Sequence, residues 1–141
     1  MIKIKKFLSR TKEERKIFLI TLFYMIYTQA LIKLIPFKFI IKILSLKICN
    51  EVSKNLSPEN NIKEIKWAIN VCSKIVFWKS KCLNQALTAY KVLKTYNNNP
   101  YLYLGLIKEN NKLEAHAWTI VNDVYITGKD NRIYDIICIF K

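Results

Sequence analysis

Tyr101-Leu102-Tyr103-Leu104-Gly105-Leu106-Ile107 and Leu113-Glu114-Ala115-His116-Ala117-Trp118-Thr119-Ile120-Val121 are the two runs on which the fold turns. Both are rich in β-branched and aromatic residues, and Glu109-Asn110-Asn111-Lys112 between them reads as a hairpin loop. Asn122-Asp123 supplies a second tight turn into a strand over 124–127, and 132–140 reads as a last strand. Should Asn122-Asp123 close a two-residue hairpin, Val121 pairs with Val124 and His116 falls opposite Lys129. The C-terminal part is therefore an antiparallel sheet.

Upstream the period changes to that of helices. Asn97-Asn98-Asn99-Pro100 ends a helix that opens near Ser80 to Cys82 and runs through Leu83, Ala86, Leu87, Tyr90 and Leu93. Before it, Ile62, Ile65, Ile69, Cys72 and Val76 recur at three- and four-residue steps behind Ser57-Pro58-Glu59, an N-cap and first-turn signal. Cys72 thus belongs to a buried face. Residues 11–32 form a long helix with Thr11 as N-cap and Glu13 and Glu14 in the first turn, where negative charge suits the dipole. Its uncharged run, Ile17 to Ile32, is 16 residues, short of the roughly 18–20 that cross a bilayer. Pro36 fits the first turn of a further helix with Lys38, Lys42 and Lys47 among apolar residues. That pair of helices either packs on its own core or lies on a membrane surface. The polar stretch 50–61 is the natural hinge, so the chain divides into a basic apolar helical subdomain, 1–56, and a core, 57–141. The fold class is α+β.

With 141 residues there is one core's worth of chain, and 52% apolar residues exclude a disordered polymer. The two glycines, Gly105 and Gly128, cannot build a P-loop or dinucleotide fingerprint. A net charge of +14 calls for an anionic partner. The excess is uneven: residues 1–56 carry twelve Lys/Arg and three acids, residues 57–141 twelve and seven. Only three of the basic residues are Arg, which weighs against specific nucleic-acid readout. Cys49, Cys72, Cys82 and Cys138 form no C-x-x-C pair and share one histidine, so no structural metal site is expected. No secretory signal is evident, and the cysteines read as reduced in a cytoplasmic protein.

The chemistry concentrates in two residues. Cys82 sits at the start of a helix, where unpaired N–H groups and the dipole favour a thiolate, with Lys79 and Lys81 adding positive charge. His116 is the only histidine. Nucleophilic cysteine catalysis needs a thiolate, a base, and a third group to orient the base. Trp118 reads as packing beneath such a site, Gln85 as lining a pocket or a solvated face, and Gly105 as a point of close backbone approach.

The stretches Lys81-Cys82-Leu83-Asn84-Gln85-Ala86-Leu87, Leu104-Gly105-Leu106-Ile107 and Glu114-Ala115-His116-Ala117-Trp118 resemble the transglutaminase-like cysteine protease of lasso-peptide biosynthesis B proteins. Leu34 to Phe37, Leu-Ile-Pro-Phe, is similar to the helical junction of that family's stand-alone form, whose leader-binding domain is a separate protein. The resemblance implies a transglutaminase/papain-like core with a catalytic helix packed on an antiparallel sheet, and a leader peptidase working through a thioester. Carried over, Cys82 is the nucleophile and His116 the base. The family's aspartate lies about a dozen residues past the histidine, where this chain has Gly128; Asp130 is the nearest match, with Asn131 and Asp123 as alternatives. A bulge at Gly128 would be needed to aim Asp130 at the imidazole. The implied partners are a lasso precursor peptide, a separate leader-recognition protein and the lasso cyclase. No cofactor is implied, and dependence on ATP stays open. Two other functions compete: a basic membrane-surface adaptor without catalysis, held through residues 1–47, and a transglutaminase-like acyltransferase using the same triad.

Overall fold

The computed structural model describes residues 2–53, 59–78 and 81–141. Among these residues nine elements follow in the order α1 (Ile2–Leu8), α2 (Lys12–Leu34), α3 (Phe37–Ile43), α4 (Ile62–Ile75), α5 (Cys82–Thr95), β1 (Tyr101–Glu109), β2 (Lys112–Val121), β3 (Val124–Tyr125) and β4 (Asp135–Phe140). The four strands form one antiparallel sheet in the order β3-β2-β1-β4, so the α+β class expected from the change of period is the observed one.

Local chemistry accounts for most boundaries. Thr11 accepts from the Glu14 N–H through Oγ1, and the Glu14 carboxylate accepts from the Thr11 N–H, a complete capping box at the start of α2. Pro36 ends up as N-cap of α3 rather than inside its first turn. The Ser57-Pro58 start signal and the boundary after residue 56 lie outside the described residues, as do Lys79 and Ser80. α4 begins at Ile62, later than Glu59, because Asn61 takes a left-handed φ of 57° that no helical residue can hold. Asn97, with φ 61°, stops α5, and buried Asn98 ties that end to Asn60 by donating to its carbonyl at 2.9 Å.

The first hairpin is tighter than its four-residue reading, and the second is as tight as expected. Glu109 pairs with Lys112, so the first turn holds only Asn110 and Asn111, at φ 50° and 61°. Val121 pairs with Val124 as expected, across Asn122 and Asp123 at φ 48° and 61°. Two consecutive left-handed residues are the signature of the turn whose twist matches paired strands, and Asn and Asp bear that conformation best. β3 ends at Tyr125 instead of continuing to Thr127, although the Ile126 N–H still donates to the Thr119 carbonyl at 2.9 Å. The last strand starts at Asp135, not Arg132.

Two apolar clusters hold the helices to one face of the sheet. The first joins Ile17 and Met25 of α2, Ile65, Ile69 and Cys72 of α4, Val92 and Leu93 of α5, and Val121. The second joins Leu31, Ile40, Ala86, Leu87, Tyr90, Leu102, Ala117 and Phe140. α2 therefore shares its core with the helices and strands of the C-terminal part. Cys72 is fully buried, and loss of hydration pushes its thiol up to about 12, so it is no nucleophile. All four cysteines are free thiols. Iodoacetamide at pH 8 is expected to leave Cys72 unmodified in the native protein and to modify it in denaturant, as peptide mapping would show; native labelling of Cys72 comparable to that of Cys82 would contradict this.

Candidate active site

Cys82 is the first residue of α5. Its helix is pinned by a buried polar knot, unusual in so apolar an interface. The Asn84 side-chain amide donates to the Met25 carbonyl at 3.0 Å and to Thr28 Oγ1 at 2.8 Å. Thr88 Oγ1 donates to the Asn84 carbonyl at 2.7 Å and lies 3.0 Å from Thr28 Oγ1. These bonds fix the first turn of α5 against the middle of α2, and so fix where the thiol stands. Nothing in the composition singled out Asn84; the only signal was polar Thr28, Asn84 and Thr88 at positions whose helical neighbours are apolar. Asn84→Leu is expected to cost about 2–3 kcal/mol in a denaturant titration, because Thr28 Oγ1 and the Met25 carbonyl would each lose a buried donor. A change below about 0.5 kcal/mol, the level of an ordinary surface substitution, would refute that account.

Cys82 and His116 line one cleft of about 230 Å³, together with Phe37, Leu83, Leu104, Gly105, Ala115, Ala117 and Ile137. β4 shapes its rim: Leu104 pairs with Cys138 and Gly105 with Ile136, leaving Ile137 as the extra residue of a bulge. The bulge considered at Gly128 does not form, since β3 ends at Tyr125; the bulge that does occur is a separate one, in β4 opposite Gly105. Thr119 Oγ1 donates to the Ala86 carbonyl at 2.8 Å, and Ala117 is buried with Ala86 and Leu87, so these β2 residues face α5. Strand alternation then turns the side chains of His116 and Trp118 to the other face. The thiol approaches the cleft from the helix side and the imidazole from the far side of β2; among the described contacts no hydrogen bond joins them.

The imidazole is held firmly where it is. Its Nε2 lies 2.8 Å from the Gly128 carbonyl oxygen. A carbonyl can only accept, so Nε2 carries the proton and Nδ1 keeps the lone pair that a base requires. The orienting bond is made at Nε2, not at Nδ1. The ring stacks on Tyr134 at 4.8 Å and on Trp118 at 5.6 Å between centroids, and Trp118 stacks in turn on Tyr103 at 5.4 Å. Trp118 therefore packs beside the histidine as expected. Tyr134, which carried no sequence signal, completes a three-ring cluster, its own ring 5.8 Å from the Trp118 indole.

Asp130 does not touch the imidazole. Its carboxylate accepts from the Arg132 N–H at 3.1 Å, from Arg132 Nε at 3.0 Å and from the Tyr134 hydroxyl at 2.7 Å. These bonds, the Tyr134 hydroxyl first among them, hold its carboxyl down to about 2. The sign is that of a depressed acid: the clasp is intact above the ordinary carboxylate range and is lost as pH falls toward 2. Arg132 also pairs with Glu114 at 2.8 Å and Glu109 at 3.4 Å, closing the loop before β4 over the hairpin. Asp130 thus reaches His116 only through the ring of Tyr134. Asn131 and Asp123 make no described contact with the imidazole either. The position a dozen residues past His116 is Gly128, and its backbone carbonyl occupies the place of an orienting side chain.

That carbonyl is where it is because Gly128 has φ +68°. A Cβ there would lie 2.7 Å from Trp118 Cβ, 2.8 Å from the Ala117 oxygen and 3.1 Å from His116 Nε2. Gly105, paired with His116 across the sheet, is constrained by space: its Cβ would meet Tyr134 at 2.8 Å and the Trp118 indole at 2.9 Å. Among the described residues no group of three or more His, Cys, Asp or Glu could hold a metal ion. The arrangement offers a thiol at a helix N-terminus and an imidazole of defined tautomer at one cleft.

A family model described as the transglutaminase-like superfamily matches residues 25–137. No curated protein and no solved structure matches the chain.

Proposed function

Since the chain belongs to the transglutaminase-like superfamily, which includes cysteine peptidases and acyltransferases, we propose that Cys82 is the nucleophile and His116 the general base of a cysteine peptidase that removes the leader from a lasso precursor peptide. The observation that carries this reading is the shared cleft: of the four free thiols, Cys82 is the one that stands at a helix N-terminus and lines the cleft that His116 also lines. The finer assignment to leader removal rests on the likeness of Lys81 to Leu87 and Glu114 to Trp118 to lasso B proteins.

The chemistry follows from the atoms available. His116 Nδ1 takes the thiol proton, and the Cys82 thiolate attacks the scissile carbonyl carbon. First-turn N–H groups of α5, which lack intrahelical acceptors, stabilise the oxyanion. The C–N bond breaks as the imidazolium returns the proton to the leaving amine, leaving a thioester. Water, deprotonated by Nδ1, hydrolyses it and restores the thiol. An amine in place of water would make the same site an acyltransferase. Because the resting imidazole is held across β2 from the thiol, the reaction requires the edge of β2 that carries His116 to turn its side chain toward Cys82 when substrate enters the cleft.

The test is to incubate the purified chain with a lasso precursor, alone and with the separate leader-recognition protein, and to weigh the products. The expected result is a leader and a core peptide whose masses sum to precursor plus one water, formed faster with the recognition protein. Unchanged precursor in both mixtures would refute the peptidase assignment.

Asp130→Asn gives a sharper reading of the site. Removing a carboxylate bonded directly to a catalytic imidazole costs about 10⁴ in rate. Here Asp130 anchors Tyr134 rather than the imidazole, so the expected loss is below about ten-fold, with Tyr134→Phe showing the same small loss. A loss approaching the larger value would mean that Asp130 swings onto His116 during turnover.

A further inference from the structure

We infer that α2 lies in the plane of an anionic lipid surface and docks the protein there through one continuous stripe of its exposed face. Lys12, Lys16, Leu19, Phe23, Ile26, Ala30 and Lys33 recur at three- and four-residue steps, Leu34 adjoins the last, and all are exposed. At its centre the stripe is apolar, with Leu19 60%, Phe23 62%, Ile26 51% and Leu34 81% exposed. At its ends it is cationic. The opposite stripe, Ile17, Thr21, Met25, Thr28 and Leu31, is buried against the body of the protein. A helix apolar on both sides is stable when both sides are covered. One side of α2 is covered by protein and the other by nothing among the described residues.

Charge decides among the possible covers. The acids of α2 are Glu13 and Glu14, and Glu14 is already bound to Arg10; α3 has none. A second copy laid on the stripe would bring lysine collars against lysine collars. An anionic bilayer instead offers hydrocarbon to Leu19, Phe23 and Ile26 and phosphates to Lys12, Lys16 and Lys33, the pattern of interfacial helices. α3 continues the same chemistry with exposed Phe39 and Ile43 beside exposed Lys38 and Lys42.

Length and composition alone would let Lys12–Leu34 cross a membrane. The packing argues against it: spanning would strip Thr28 from Asn84 and Thr88 and open both apolar clusters. The stripe ends at Leu34, three residues before Phe37, which lines the Cys82 cleft. The inference stands on the exposed face of α2 and is independent of the peptidase reading.

Co-sedimentation of the full chain with vesicles tests it, comparing phosphatidylcholine alone with phosphatidylcholine containing a third phosphatidylglycerol. Binding is expected on the anionic vesicles, falling steeply between low and molar salt. Each lysine near such a surface is worth about five-fold in partitioning, so Lys12→Ser/Lys16→Ser/Lys33→Ser should lose on the order of a hundred-fold. Leu19→Ser/Phe23→Ser/Ile26→Ser should abolish binding, with unchanged circular dichroism because all three sites are exposed. The inference is overturned if the chain stays in the supernatant, if binding is equal on neutral vesicles, if the serine triple variant still binds, if it instead dissolves a dimer seen without lipid, or if bound protein resists alkaline carbonate extraction as a spanning helix would.

Discussion

Cys82→Ala is expected to abolish processing of the precursor, with a loss on the order of 10⁴-fold or more, while leaving the thermal midpoint within a degree or two, about what a half-buried surface change produces. The size follows from the mechanism: without the thiolate no thioester forms, and what remains is only the oxyanion-stabilising first turn of α5 and the shape of the cleft. Cys82→Ser keeps the volume but replaces a soft nucleophile by a hydroxyl that His116 alone cannot ionise, and should be nearly as inactive. Intact-mass analysis after brief iodoacetamide treatment supplies an independent readout. Alkylation of Cys82 should remove activity in step with the adduct, whereas a Cys49→Ser or Cys138→Ser protein should remain active. Cleavage that persists in Cys82→Ala would end the assignment.

Gly128→Ala is expected to be the most damaging single methyl group that can be added to the chain. Two costs combine. The backbone at φ +68° charges any L side chain about 1–2 kcal/mol. The new Cβ would also lie 2.7 Å from Trp118 Cβ and 2.8 Å from a backbone oxygen, neither of which is the yielding end of a flexible side chain. A destabilisation of about 3–4 kcal/mol is expected in urea titration, a large share of an ordinary domain's stability. Because that Cβ would sit 3.1 Å from His116 Nε2, the surviving folded fraction should also lose activity per molecule, through displacement of the carbonyl that sets the tautomer. Gly128→Asn separates the causes: asparagine tolerates left-handed backbone, so recovery relative to alanine would show that φ dominates. The geometry predicts no recovery, since the contact with Trp118 remains.

The loop containing Gly128 shows why one part of the site was readable in the residues and another was not. Cys82 at a helix start and His116 in a strand were recoverable because periodicity, Pro100 and the capping chemistry place elements before any tertiary contact is known. The identity of the orienting group was not. Asp130 is the side chain one would choose from the residue types, yet it is satisfied by Arg132 and Tyr134, two and four residues away. Local bonds of this kind cost little chain entropy and compete successfully with a longer reach to the imidazole. The acceptor His116 uses is a backbone atom, and every residue has one, so no residue type announces it.

The same division runs through the fold. The amino-acid order determined by itself that helices precede an antiparallel sheet, that Asn122-Asp123 turns the chain in two residues, that Thr11 starts a long helix and that Cys72 is packing; all of these depend on neighbours within a turn or a hairpin. Tertiary structure alone decided that α2 is half core and half open surface, that Asn84 and Thr28 knot it to α5, that the bulge falls at Ile137, and that Cys82 and His116 reach their cleft from opposite sides of β2. Those outcomes depend on which atoms distant segments present to one another, and a burial pattern shared among several elements leaves no periodic trace in any one of them.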